Sequence, residues 1–156
     1  MRFELLFLGK TKETYLAAGI ADFCKRLARY AEVDIRILKE KKWGSGESEK
    51  KIKEEETDRL LASCSQPTMI VALDPAGRQA SSEELANLLQ QWEEQGCRKI
   101  TFIIGGPLGL APSIRQAADC ILSLSAMTFT HEMARLLLLE QLYRACSIRS
   151  GSQYHK

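Results

Sequence analysis

A chain of 156 residues, 45% hydrophobic and 27% charged, is long and apolar enough to bury the core of one domain, spanning 1–156. A formal net charge of only +2 excludes a strongly cationic nucleic-acid coat but leaves room for a local basic site. No stretch approaches the roughly 20 apolar residues of a membrane span, and the opening MRFELLFLGKTKE sets Glu4 inside a run too short for a signal peptide, so a cytoplasmic protein without a membrane partner is expected.

Strand-like and helix-like segments alternate along the chain. Residues 2–8, RFELLFL, read as a buried strand ended by Gly9. Residues 12–30 carry Leu16, Ile20, Phe23 and Leu27 at helical spacing. Val33–Leu38 alternates apolar and polar, the pattern of a strand with one exposed face. KEKKWGSGESEKKIKEEETDR follows, a flexible break at Trp43–Gly46 and then a charged, solvated helix ending in RLLASC. Thr68–Leu73 is a short apolar run suited to a central strand, and Asp74-Pro75-Ala76-Gly77 signals a turn. Ser81 with Glu84 forms a capping box opening the next helix, and Gly96 stands where its C-cap belongs. Ile100–Ile104 is another apolar strand, running into GGPLG. A short helix at 114–118, a short strand at 120–124 and a long helix at 131–148 complete the chain. This order predicts an α/β fold with a mostly parallel sheet.

In open parallel sheets, ligands bind beyond the carboxyl ends of the strands. Three such ends are rich in small residues: Leu73–Gly77, Ile104-Gly105-Gly106 and Leu124–Thr128. Together they offer backbone N–H and C=O groups to an adenine or a ribose, and glycine at 105 and 106 permits close approach. The glycine loop alone is equally a tight turn fixed by Pro107. It has neither dinucleotide-fingerprint nor Walker spacing. In the last helix, HEMARLLLLEQLYRACSI, Leu136–Leu139 are apolar around a full turn, as in a core or a subunit interface. Arg144 stands four residues after Glu140, which fits a salt bridge as well as a ligand role. His131, at the helix start, reads as a cap or a core histidine rather than a base. The tail RSGSQYHK groups Arg149, Tyr154, His155 and Lys156, which suits stacking on bases and binding phosphate, although a disordered end is the commoner reading. The five cysteines are scattered, with no metal-site spacing, so free thiols and no metal are expected.

Longer motifs carry a family resemblance. IGGPLGL, LSLSAMTFTHEMARLLLLEQLYRA and the ending YHK, with the LDPAG turn, SSEELA and the opening KETYLAAGIADFCKRLARYAEVDI, resemble the RlmH family of ribosomal RNA methyltransferases over the whole chain. The resemblance implies a SPOUT-type fold whose C-terminal part is threaded into a deep trefoil knot, and a homodimer. It implies a methyltransferase that uses S-adenosyl-L-methionine to methylate N3 of a pseudouridine in 23S ribosomal RNA on the assembled ribosome. The cofactor contacts it carries over are Leu73, Gly105 and Leu124-Ser125-Ala126-Met127-Thr128-Phe129, the same three strand ends.

For the chemistry, the imide proton must leave as the base nitrogen is held in line with the methyl group. Arg144 and His155 are the candidate catalytic residues, and Arg149, Tyr154 and Lys156 the candidate RNA contacts, with the tail of one chain reaching the pocket of the other. Three positions depart from the family pattern: Leu108 replaces an acidic residue, Thr130 a proline before the histidine, and Gln153 a proline before Tyr-His. The alternatives are a methyltransferase acting on transfer RNA and a non-catalytic ribosome-associated factor.

Overall fold

The computed structural model describes residues 1–152, and Tyr154, His155 and Lys156 lie outside them. Five strands form one sheet in the order β2-β1-β4-β3-β5, every neighbour parallel: β1 (Arg2–Leu8), β2 (Glu32–Leu38), β3 (Met69–Gln79), β4 (Lys99–Ile104) and β5 (Cys120–Ser123). Five helices connect or follow them: α1 (Thr14–Leu27), α2 (Glu49–Ala62), α3 (Ser82–Glu94), α4 (Ile114–Ala117) and α5 (His131–Arg149). The α/β class and parallel sheet expected from the sequence are what the structure has. Strand order was not legible in it.

β1 is nearly all apolar because it lies between β2 and β4 and meets protein on both faces. Its side chains alternate between two cores. Phe3, Leu5 and Phe7 join α1, α3 and α5, while Leu6 and Leu8 join Leu60 of α2 and Ile114 of α4. The edge strand β2 shows the half-exposed pattern predicted for it. Ser81 and Glu84 do cap α3 reciprocally, and Gly96 follows its C-cap at φ +87°. All five cysteines are free, and burial pushes the Cys64 thiol up to about 11.

Two segments differ from their sequence reading. Asp74–Gly77 is not a turn that ends the strand. β3 continues to Gln79, pairing with β5 first through Val71–Leu73 and again through Arg78 and Gln79, with a register shift between. Four residues are looped out within the ladder, and a Cβ on Gly77 would stand 2.8 Å from the Ile121 carbonyl carbon, so the backbones touch there. The charged helix α2 is not simply solvated. It buries Glu56, Thr57 and Leu60 against the sheet and the glycine loop.

Glu4 faces the α2 side and is only 1% exposed. Burial alone would raise its carboxyl, but hydrogen bonds from Thr101 Oγ1 (2.8 Å) and Ser65 Oγ (2.8 Å), with Lys99 Nζ at 3.3 Å, hold it at about 2. A carboxylate depressed from 4.5 to about 2 stabilises the fold above its unfolded value, and that contribution is lost as pH falls from there toward 2. The shift corresponds to about 3 kcal/mol. Urea unfolding at pH 7 and pH 3 should therefore show the parent losing more stability on acidification than Glu4→Gln. Equal losses would show that Glu4 does not carry this dependence.

Candidate functional site

The carboxyl ends of β3, β4 and β5 open into one cavity of about 720 Å³, within the range of small-molecule sites. Leu73, Gly105, Leu124, Ser125, Met127, Thr128 and Phe129, all singled out from the sequence, line it. Ala126, between two lining residues, does not. The wall also includes Asp74 and Pro75 of the Leu73–Gly77 strand end, and residues that the sequence did not mark as site residues, notably Lys53, His131 and Ala134.

Each wall has a local cause. The glycine loop folds back on itself: Gly109 N donates to Gly106 O at 2.9 Å, and Gly109 takes φ +79° to close the turn. Gly105 sits so tightly beneath it that a Cβ would lie 2.7 Å from the Gly109 carbonyl carbon. From outside, Thr57 Oγ1 accepts the Ala111 N–H at 2.8 Å and ties the loop to α2. The third wall is shaped by serines. Ser123 Oγ donates to Ser125 O at 2.9 Å, and Ser125 Oγ accepts from Met127 N at 2.9 Å. Asp74 Oδ1 accepts from Ala76 N at 2.8 Å, which fixes the looped-out bend of β3. Thr130 caps α5 by accepting from Met133 N at 3.2 Å, so the departure from proline at 130 supplies a cap of its own.

The charged groups on the wall are few. Lys53 reaches it from α2, Asp74 from β3 and His131 from the start of α5. Burial, and then the nearby Arg135, push the His131 imidazole below its ordinary value, which favours its uncharged form. Sequence reading placed His131 as a cap or core residue; the helix start instead aims it at the cavity. Lys53 was missed because its neighbours Glu54, Glu55 and Glu56 make the run look uniformly solvated. Only the three-dimensional position of α2 over the loop separates it from them.

Arg144 and Arg149 are elsewhere. Arg144 donates to Glu140 Oε1 from Nε (3.0 Å) and NH2 (2.7 Å). It lies thirteen residues after His131, about 20 Å further along the helix axis. Arg149 pairs with Glu93 beside Met1, at the amino-terminal edge of the sheet. One chain therefore does not bring either arginine to the cavity. Among the described residues there is no group of His, Cys, Asp and Glu that could hold a metal, and no helix long and apolar enough to cross a membrane.

A cavity walled by backbone, small residues and few charges suits a nucleoside more than a polyphosphate. Comparisons with known proteins show the family. Residues 1–155 match the family described as "Predicted SPOUT methyltransferase". The chain is 46% identical to "Ribosomal RNA large subunit methyltransferase H" of Desulfotalea psychrophila and 45% identical to the protein of that name from Halothermothrix orenii, in each case over all of both chains. The protein of the same name from Streptococcus thermophilus is 41% identical over the same full extent. Among solved structures, a probable methyltransferase from Bordetella pertussis Tohama I superposes with a TM-score of 0.54 at 11% identity, covering 93% of this chain and 96% of that one, which is a likeness of fold.

Proposed function

The chain belongs to the SPOUT methyltransferase family, and from that premise we propose that it methylates ribosomal RNA with S-adenosyl-L-methionine as donor, at N3 of a pseudouridine in the 23S molecule on the assembled ribosome. The observation that carries the reading is the meeting of the three family cofactor segments in one cavity. Full-length relatives named for large-subunit ribosomal RNA support the substrate class. The reading includes the family's deep trefoil knot. The contact of β5 with β3 on both sides of the looped-out Asp74–Gly77 is in keeping with it.

When bound, the donor supplies an electrophilic sulfonium methyl group. The chain's own part is mainly positioning. Backbone groups of Leu73, Gly105 and Leu124–Phe129 hold the nucleoside. Arg144 stabilises the anion that develops as the imide proton departs, and His155 is the candidate to receive that proton. Arg149, Tyr154 and Lys156 hold the RNA. Because Arg144 and Arg149 are remote from the cavity of their own chain, they act in this reading at the cavity of a second copy, in a homodimer. The exposed Tyr15 (64%), Met127 (75%) and Phe129 (40%) support such a partner surface.

Labelled methyl transfer to whole ribosomes, naked ribosomal RNA and bulk transfer RNA tests the proposal. Label is expected in whole ribosomes alone. Label in transfer RNA would favour the first alternative, and no transfer with no donor binding the non-catalytic one. Arg144→Ala should cut turnover about a hundredfold with donor affinity nearly unchanged; weakened donor binding instead would assign Arg144 a structural part.

A further inference from the structure

Glu56 is a buried carboxylate that the packing of α2 does not explain. It is 7% exposed, in the middle of the helix. Oε1 accepts from Trp43 Nε1 at 3.3 Å. Oε2 is buried and has no hydrogen-bond partner among the described residues. Burying a carboxylate oxygen without a partner is costly, and such groups persist where they serve something other than stability. The anchoring of the glycine loop to α2 does not need it, because Thr57 already makes that bond with Ala111.

Its position is informative. Oε2 lies 3.1 Å from where a Cβ on Gly106 would be, and Gly106 lines the cavity. With no side chain on Gly106, the carboxylate sits directly behind one bare peptide of the cavity wall. Lys53, one turn earlier on α2, and Asp74 and His131 also line the cavity. Burial raises the carboxyl above its ordinary value and Glu40, in the segment after β2, adds to this, while the Trp43 hydrogen bond and Arg59 of α2 oppose it.

We propose that Glu56 is the counter-charge by which the cavity prefers a positively charged methyl donor to its spent, uncharged product. The proposal rests on the reading of the cavity as a methyl-donor site. Donor and product differ at one atom, a sulfonium with three carbon substituents against a neutral thioether. Backbone contacts to the adenine, ribose and amino-acid portions serve the two equally and give no discrimination. A fixed negative charge in a desolvated wall attracts the sulfonium and is indifferent to the thioether. Discharge of the donor thus removes the interaction that held it, which favours product release after each transfer.

The test is calorimetric binding of S-adenosyl-L-methionine and S-adenosyl-L-homocysteine to the full chain, to Glu56→Gln, which keeps the shape, and to Glu56→Asp, which keeps the charge. Glu56→Gln is expected to weaken donor binding about tenfold and to leave product binding within about twofold. Glu56→Asp should retain part of the preference. Thermal unfolding of Glu56→Gln should be no lower than that of the parent, because a buried charge with one unpartnered oxygen is removed while an acceptor for Trp43 Nε1 is kept. Equal weakening of donor and product, or no change in either, overturns the counter-charge and leaves the donor site standing. A parent protein that binds neither nucleoside overturns the donor-site reading and the counter-charge with it.

Discussion

With the cavity read as a methyl-donor site, Gly105→Ala is expected to weaken donor binding severely while most of the fold survives. A Cβ at 105 would stand 2.7 Å from the carbonyl carbon of Gly109, 2.9 Å from its oxygen and 3.0 Å from Leu110 N. These are backbone atoms, which cannot swing aside as the end of a side chain can. The loop must open, and the Gly109 N–H to Gly106 O bond of 2.9 Å that closes it is the first to go. Gly106 faces a side-chain oxygen at 3.1 Å, which can yield by a few tenths of an ångström. Gly105→Ala should therefore weaken donor binding by at least about a hundredfold and Gly106→Ala by at most about tenfold, equivalent to roughly 2.7 and 1.4 kcal/mol. Titration calorimetry on both variants, with circular dichroism to verify the fold, checks the order. Equal effects would mean that the crowding at Gly105 is relieved elsewhere in the chain.

The second large effect is expected at Arg135, a fully buried arginine (0% exposed) in the first turns of α5. Its NH2 donates to the Leu8 carbonyl at 2.6 Å and NH1 to Thr11 Oγ1 at 3.0 Å, and its guanidinium lies 4.7 Å from the centre of the Phe7 ring. The side chain thus stitches the last helix to the end of the first central strand and to the loop that follows. Its neighbour Glu132 accepts from the N–H groups of Lys12 and Glu13 at 3.0 to 3.1 Å, reinforcing the same joint. Arg135→Ala leaves the Leu8 carbonyl without this donor, empties a large volume and should cost about 3 to 5 kcal/mol. Arg135→Met fills most of the volume and should cost about half as much. Urea denaturation midpoints at constant slope would give the comparison. If the two variants lose equal stability, the hydrogen bonds rather than the filled volume decide the cost.

The sheet elements were legible because each carries its own signal. β1 is a continuous apolar run since both its faces are covered, β2 alternates since it lies at an edge, and α3 announces its start with Ser81 and Glu84. What was not legible depends on distant residues. The continuation of β3 through a proline and a glycine arises from a second pairing with β5, more than forty residues away. The place of Lys53 in the cavity wall, and the burial of Glu56, follow from how α2 lies on the glycine loop, which no local pattern encodes. Nothing in the local sequence HEMARLLLLEQ marks Arg135 as a core residue. Its partners, Leu8 and Thr11, are more than 120 residues away in sequence. Six of the seven cavity residues, all but Phe129, lie at the strand ends that parallel-sheet geometry marks for a ligand, and the family motifs add Phe129.

The strand order β2-β1-β4-β3-β5 also sets when the cavity can exist during synthesis. β1 must wait for β4, made nearly a hundred residues later, before its second edge is covered. β3 must wait for β5 in the same way. Two of the three walls belong to the final third of the chain, together with the helix that seals one face of the sheet. Contacts this distant in sequence make for slow, late closure. Until the segment through β5 and the start of α5 has been made, the chain therefore has no finished cavity.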